Sequence, residues 1–340
     1  MVSERSLEVL RVIVQDYVAS REPVGSKAIV ERHGFNVSAA TIRNDMALLE
    51  EEELIAAPHT SSGRVPTDKG YRVFVDRLAD LRPLSPAQRT AIETFLGEAV
   101  DLDDVLARTV RLLSQFTSQV ALAQYPSFGS ARVRHVELVA LGPSRLSTVL
   151  ITDTGRIDQR LIEVTAPVDD AALADLRSRI NAELGGVALG ETGGRLARLA
   201  GTVPPDRADL MATIAGVLGE QVAANRQDRL VVAGAANLAR TQRDFRGSID
   251  PLLDALEEQV TMLRLLTEME LEVDEVRTSI GREHEATGLG ETSVVATGYA
   301  ATGGGVAHLG VLGPTRMDYG NNMAAVRAVA RYLTRLLGED

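Results

Sequence analysis

The sequence predicts an α+β protein built from more than one domain. Its 340 residues exceed the size of one ordinary domain and suit two or three. Hydrophobic residues make up 45% and charged residues 24%, a balance typical of a globular protein with a sizeable core. Amphipathic helix patterns near both ends of the chain enclose a middle part that contains both strand and helix patterns.

Composition and charge exclude several classes of protein. The chain has no cysteine, which rules out disulfides, thiolate metal sites, iron–sulfur clusters and cysteine nucleophiles. Its net charge of −11 argues against binding a polyanion over the whole surface, so a nucleic-acid surface would be local. Residues 1–4 lack the pattern of an export signal, and the uncharged stretch between Glu291 and Arg316 is broken by glycines. We therefore expect a cytoplasmic protein without a membrane span.

Three short helices are predicted at the N-terminus. An apolar stripe at helical spacing covers residues 5–20. Ser26 and Gly34 are placed to begin and end a second helix, and Ser38 is placed to cap a third. Three helices with short connections are typical of a helix-turn-helix arrangement.

The third helix has the pattern of a DNA-recognition helix. The face that should pack on the first two helices carries Ile42, Met46 and Leu49. The opposite face and its flanks carry Ala40, Thr41, Arg43 and Asn44. Small residues let a helix enter the major groove, and Asn and Arg side chains can form two hydrogen bonds to a base edge. The same pattern also fits an ordinary solvated helix.

A β-hairpin is predicted directly after this helix. Strand patterns at 54–57 and 64–66 flank a polar loop, which is the arrangement of the wing in a winged helix-turn-helix domain. The loop, and the first turns of a helix over 68–81, offer donors for phosphate or minor-groove contacts, although a solvated basic face is the alternative. The candidate DNA-contacting residues are Ser38, Ala40, Thr41, Arg43, Asn44, His59, Thr60, Ser62, Arg64, Lys69 and Arg72.

The remainder of the chain predicts an α/β domain that is interrupted by helices and then completed. The predicted elements are a helix over 104–121, strands over 133–141, 146–153 and 159–164, a helix over 169–184, a helical tract over roughly 190–275, strands over 293–299 and 306–312, and a helix over 323–337. A leucine stripe in the helical tract is the candidate dimer interface. Its members are Leu252, Leu256, Leu263 and Leu266. Packing within one subunit explains this stripe at least as well.

Catalytic and metal-binding patterns are missing from the sequence. The five histidines do not occur at metal-ligand spacing, and neither a Gly-x-Ser-x-Gly nor a Walker sequence is found. We predict a protein that is not an enzyme and has no metal or cofactor. Arg316 is expected to pair with an acid across a domain boundary. Two rival interpretations are a regulator that senses a small molecule in its α/β domain, and an enzyme with an accessory winged helix.

Several motifs resemble those of the heat-inducible transcription repressor family HrcA. Residues 38–46 with 49–50 resemble the recognition helix of that family, and residues 58–72 are similar to its wing and following helix. Residues 280–283 and 312–319 resemble its two C-terminal motifs. The motifs occur in the family's order and span nearly the full length of the chain.

This resemblance implies a dimeric repressor that binds double-stranded DNA at an inverted-repeat, CIRCE-type operator of groE- and dnaK-type operons. It implies relief of repression on heat stress and the groE chaperonin as a modulator. The implied domains are a winged helix (1–82), a linker (83–104), a GAF-like domain (105–190 and 278–340) and an inserted helical dimerisation domain (191–277). Glu53 stands where the family usually has glycine, and a side chain disfavours a left-handed helix end, so we expect this turn to differ.

Overall fold

The described residues form three units, each defined by its sheet or its core. The computed structural model describes residues 2–59, 62–78, 84–126, 131–153, 155–164, 167–226, 229–245, 247, 249–301 and 305–338. The N-terminal unit covers residues 2–78, the sheet unit covers 84–126 and 229–338, and the inserted unit covers 131–226. Among the described residues, every helix is too short or too polar to cross a lipid bilayer.

The N-terminal unit consists of four helices and a two-stranded hairpin. Its elements are α1 (Glu4–Ser20), α2 (Ser26–His33), α3 (Ala39–Glu51), β1 (Ile55–Ala56), β2 (Val65–Pro66) and α4 (Asp68–Val73), which continues as a π-helical turn (Phe74–Leu78). The hydroxyl groups of Ser3, Ser38 and Thr67 each accept a hydrogen bond from a backbone N–H three residues later. These caps fix the first residues of α1, α3 and α4.

The other two units contain the remaining α-helices and strands of the described residues. In chain order these are α5 (Pro86–Gly97), α6 (Leu102–Thr117), β3 (Val120–Gln124), β4 (Val133–Gly142), β5 (Arg145–Thr152), β6 (Ile157–Glu163), α7 (Asp170–Leu184), α8 (Thr192–Ala200), α9 (Ala208–Arg226), β7 (Leu230–Ala233), α10 (Ala235–Thr241), α11 (Asp250–Glu258), α12 (Val260–Glu268), β8 (Val276–Ile280), β9 (Thr292–Ala301), β10 (Gly305–Pro314) and α13 (Tyr319–Gly338).

The sheet unit is built on an antiparallel sheet with the strand order β7–β3–β10–β9–β8. Helices α6 and α13 cover one face, with α5 packed on them, and α10 to α12 cover the other face. The buried side chains on the α6 and α13 face are continuous with those of the N-terminal unit. The N-terminal unit and the sheet unit therefore share one hydrophobic core.

The inserted unit differs from the insertion that the sequence predicts. Strands β4 to β6 form a separate antiparallel sheet, and α7 to α9 cover one of its faces in a separate core. The prediction placed residues 105–190 with the C-terminal strands and took 191–277 as the insertion, whereas the inserted unit covers 131–226. An alternating pattern identifies a strand but not the sheet in which that strand pairs, and this explains the shifted boundaries.

The predicted dimer leucines lie inside the sheet unit, which corrects their assignment. Leu252, Leu256 and Leu266 are 3%, 8% and 1% exposed and pack in the core between α11, α12 and the sheet. Leu263 is partly buried against the same core. A leucine stripe shows that a helix face is covered but not which surface covers it, and here the cover is the chain's own sheet.

Candidate nucleic-acid interface

Helix α3 presents the predicted reading residues on one face. Ile42, Met46 and Leu49 are buried against the other helices, as predicted. Ser38, Ala40, Arg43 and Asn44 are exposed. Thr41 is half-buried, and its hydroxyl lies 3.0 Å from that of the capping residue, Ser38. Four of the five residues predicted to contact DNA on α3 and its cap are therefore open to a ligand at the beginning of the helix.

A buried carboxylate, which the sequence analysis missed, holds α3 against α1. The side chain of Asp45 is 3% exposed and accepts a hydrogen bond from Arg5 Nε at 2.7 Å. The hydroxyl of Ser6 donates to the same carboxylate at 2.9 Å. Asp45 lies next to Met46 on the packed side of the helix, so an acid at a core-facing position was the available signal.

Arg64 joins the hairpin to the end of α3. Its Nε and one terminal nitrogen donate to the Glu50 carboxylate at 2.9 and 2.8 Å, and its other terminal nitrogen lies 3.3 Å from the carbonyl oxygen of Ser62. The hydroxyl of Ser62 donates to the carbonyl of His59 at 2.7 Å, while His59 itself is exposed. Thr60, the remaining predicted loop contact, lies outside the described residues.

The turn from α3 into the hairpin is left-handed at Glu53, where φ is +60°. The sequence predicted that the Glu53 side chain would change this turn, but the backbone keeps the left-handed conformation that glycine favours. Surrounding hydrogen bonds hold the conformation, since Thr67 Oγ1 donates to the Glu53 carbonyl at 2.6 Å and Lys69 Nζ donates to the Glu52 carbonyl at 2.8 Å. Lys69 thus satisfies a carbonyl at the end of α3 while remaining exposed.

Arg72 contacts the sheet unit, in contrast to its predicted role at DNA. Its guanidinium donates to the carboxylate of Glu283, with Nε at 2.7 Å, to the carbonyl of Thr278 at 2.6 Å, and to Asp76 at 3.2 Å. The hydrogen bonds that Arg72 donates to Glu283 raise the pKa of Arg72 above its ordinary value. Two of these partners, Glu283 and Thr278, belong to the sheet unit, so this arginine is removed from the candidate contacts.

His284 is a buried histidine with both ring nitrogens hydrogen-bonded. Nδ1 lies 2.7 Å from the Ser279 hydroxyl, and Nε2 lies 2.9 Å from the Thr292 hydroxyl. Because Thr292 donates its own proton to the Leu289 carbonyl, Nε2 must be the donor and Nδ1 the acceptor. Burial lowers the pKa of His284 below its ordinary value of 6.5. These hydrogen bonds account for a histidine at this buried position. Within the described part of the chain, carboxylates and histidines form no group of three that could hold a metal ion.

Comparison with known proteins identifies the family. A family model described as the HrcA protein C-terminal domain matches residues 103–323. The heat-inducible transcription repressor HrcA of Clavibacter michiganensis subsp. michiganensis is 68% identical over 339 residues and covers 100% of both chains. Proteins of the same name from Leifsonia xyli subsp. xyli and Beutenbergia cavernae are 62% and 56% identical, with 100% and 99% of this chain and 100% of each relative covered.

One solved structure has the same fold over nearly the whole chain. It is the crystal structure of a hypothetical protein at 2.2 Å resolution, which matches with a TM-score of 0.72 over 98% of each chain. Its sequence identity is 23%, so this likeness concerns the fold alone. The family match and the full-length relatives together assign the protein: the chain belongs to the HrcA family of heat-inducible transcription repressors.

Proposed function

We propose that the N-terminal unit is a winged helix-turn-helix domain and that the protein represses chaperone operons by binding an inverted-repeat operator. The observation that carries this proposal is the exposed row of Ala40, Arg43 and Asn44 on a helix whose other face is buried. Small and amide-bearing side chains at the start of a capped helix suit the major groove of DNA.

The proposed contacts divide into two groups. The residues of α3 that contact base edges or nearby phosphates are Ser38, Ala40, Thr41, Arg43 and Asn44. The hairpin contributes His59, Ser62 and Arg64 to the backbone of the duplex, and Lys69 lies beside the end of α3. Contacts from the hairpin to the DNA backbone carry no sequence information, so specificity for the operator rests on α3.

The proposed dimer forms through the inserted unit. The face of its sheet opposite α7 to α9 exposes a set of apolar side chains: Val139, Leu141, Ile157 and Leu161, at 41%, 54%, 65% and 70% exposure. Arg145 and Glu163, opposite each other on adjacent strands, place both charge signs at one end of this sheet. An inverted repeat requires two symmetry-related recognition helices, and a two-fold interface brings the same surface of two copies together. We therefore propose that a second copy of this chain covers this apolar face.

The sheet unit is proposed to be GAF-like, and heat stress is proposed to relieve repression through the supply of groE chaperonin. The shared core of the sheet and N-terminal units supports the link between heat and repression, because the proposed DNA-binding unit then depends on the folded state of the sheet unit.

The test is a gel-shift titration on an intact inverted repeat of a chaperone operon, beside a single half-site and a scrambled duplex of equal length. We expect tight binding of the intact repeat alone, steep in protein concentration. Equal, weak binding to all three duplexes, with and without added chaperonin, would overturn the proposal.

A further inference from the structure

We propose that two ion-pair clusters between the N-terminal unit and the sheet unit position α3 for binding to the intact operator. The Arg72 cluster comprises Arg72, Thr278 and Glu283, and the Arg316 cluster comprises Val18, Arg21, Asp244 and Arg316. This inference rests on the proposed function, because it concerns how the same recognition helix is oriented.

The Arg72 cluster joins α4 to the end of β8. The two carboxylate oxygens of Glu283 accept from Arg72, and one of them also accepts the Ile280 N–H at 2.9 Å, which fixes the carboxylate in place. A planar guanidinium held by both oxygens of one carboxylate defines direction as well as distance. The cluster therefore sets the rotation of α4 relative to the sheet.

Gly281 brings the backbone close to the N-terminal unit beside this cluster. Its φ is +52°, and a Cβ at this position would lie 2.3 Å from a carboxylate oxygen of Asp68. The same oxygen accepts the Arg282 N–H at 3.2 Å. The Ile-Gly-Arg-Glu motif is thereby explained, because its glycine permits the approach of α4 and its glutamate holds Arg72.

The Arg316 cluster joins α1 to the connection between β10 and α13. Arg316 donates to both oxygens of Asp244 at 2.7 and 2.8 Å and also to the carbonyl of Val18. Arg21, directly after α1, donates to Asp244 at 3.0 Å. The Asp244 and Arg316 side chains are 4% and 11% exposed, so removal of the Asp244 carboxylate would leave the buried Arg316 charge without its counter-ion.

Aromatic packing joins the two units beside the clusters. The ring centroids of Tyr71, on α4, and Tyr319, at the start of α13, lie 5.6 Å apart. The hydroxyl of Tyr319 donates to the Thr315 carbonyl at 2.7 Å and lies 2.9 Å from the Ser293 hydroxyl. Tyr319 is thus fixed on the sheet unit and forms a rigid surface for the N-terminal unit.

The clusters act on orientation and not on base contacts. Arg72 and Arg316 contact residues outside α3, whose exposed row is left unchanged. A single half-site requires one recognition helix in any orientation, whereas an inverted repeat requires two helices at a fixed separation and angle. Loss of a cluster should therefore weaken binding of the intact repeat and leave half-site binding unaltered.

The experiment measures the affinities of the full-length dimer for the intact repeat and for one half-site. Arg72→Met should lower the ratio of the two affinities by about tenfold, within the usual range of coupling between sites, and Arg72→Lys should retain part of it. Glu283→Gln should lower the same ratio, with Glu285→Gln, an exposed neighbour outside the cluster, as the matched control.

The outcomes separate the two proposals. If Arg72→Met weakens half-site binding equally, Arg72 contacts DNA directly and the positioning role is wrong. An unchanged ratio in both Arg72→Met and Glu283→Gln also overturns it. If the unmodified protein does not prefer the intact repeat, the proposed function itself fails. Should Arg72→Met not fold, as judged by circular dichroism, the ratio for Glu283→Gln decides.

Discussion

The carboxylate of Glu50, in the last turn of α3, accepts two hydrogen bonds from the guanidinium of Arg64 at the base of the hairpin, at 2.8 and 2.9 Å. Two elements proposed to contact one duplex are thus connected by an ion pair that is 37% exposed at Glu50 and 27% exposed at Arg64. The carboxylate orients the Arg64 guanidinium but also offsets its positive charge. Glu50 therefore limits how strongly the hairpin attracts phosphate.

Replacing Glu50 should strengthen binding to all duplexes. Glu50→Gln removes one negative charge from the surface near DNA and releases Arg64 to a phosphate. We expect higher affinity for intact and scrambled duplexes, and a slope of log K against log salt that is steeper by about one unit. Glu51→Gln, its exposed neighbour on α3, removes the same charge without an Arg64 contact. Equal slopes for the two variants would show that Arg64 does not gain a phosphate.

Asn44 and Arg43 should carry sequence recognition. Truncation of either to alanine removes hydrogen bonds to a base edge and should cost about 1–3 kcal/mol on the intact repeat, with little change on a scrambled duplex. Parallel titrations of both duplexes measure the difference. Normal operator binding by Asn44→Ala would exclude Asn44 from the reading surface.

The left-handed turn at Glu53 should cost stability that glycine would restore. Glu53→Gly relieves the unfavourable φ of +60° and should raise the free energy of unfolding by up to about 1 kcal/mol. Glu52→Gly, one residue earlier at φ −81°, only adds freedom to the unfolded chain and should lower it by about 0.5–1 kcal/mol. Urea denaturation measures both, and a decrease for both variants would contradict the strain at Glu53.

Two leucines should separate assembly from stability. Leu161→Asp places a charge on the exposed face of the inserted sheet and should convert dimers to monomers in sedimentation experiments, with little loss of secondary structure. Leu252→Ala removes a side chain from the sheet unit's own core and should lower stability by about 2–5 kcal/mol without changing the mass of the assembly. If Leu252→Ala dissociated the dimer and Leu161→Asp did not, the interface would lie on the helices around Leu252 and not on the inserted sheet.

Acidification should destabilise the protein through His284. Because burial lowers the folded-state pKa of this histidine, the unfolded state binds a proton more readily, and stability falls as pH decreases through the ordinary value of 6.5 towards the lowered one. His284→Asn should unfold more easily at neutral pH but show a flatter decline below pH 6.5. His59→Asn, at an exposed position, serves as the control. An unaltered pH profile in His284→Asn would exclude this residue as the cause.

Local patterns predicted much of the N-terminal unit. The Ser38 cap and the buried row at Ile42, Met46 and Leu49 depend on helix geometry within a few residues, so the sequence alone suffices. The partner of Arg72 could not be predicted in this way, because Glu283 lies 211 residues further along the chain. Arg316 was expected to pair with an acid across a domain boundary, but its acid, Asp244, lies in the same sheet unit, and Arg316 contacts the N-terminal unit through the carbonyl of Val18 instead.

The pairing of strands required the whole fold. The strand patterns at 133–164 were recognised, but residues 120–124, which follow and partly overlap the helix predicted over 104–121, form an interior strand of the other sheet. What decides is the set of helices available to cover each face, and those helices are distant in sequence. The same reasoning explains the leucine stripe, whose cover is a sheet assembled from segments on both sides of the insertion.

The position of β3 in its sheet affects the order of events during synthesis. At residues 120–124, this strand pairs with β7 at 230–233 and with β10 at 305–314. A ribosome needs about 10–40 s to translate the residues that follow β3. During this time the N-terminal helices have already been made, but the sheet on which they dock is incomplete. Closing such distant pairs also slows folding. We therefore expect newly made repressor to become competent only after translation has finished.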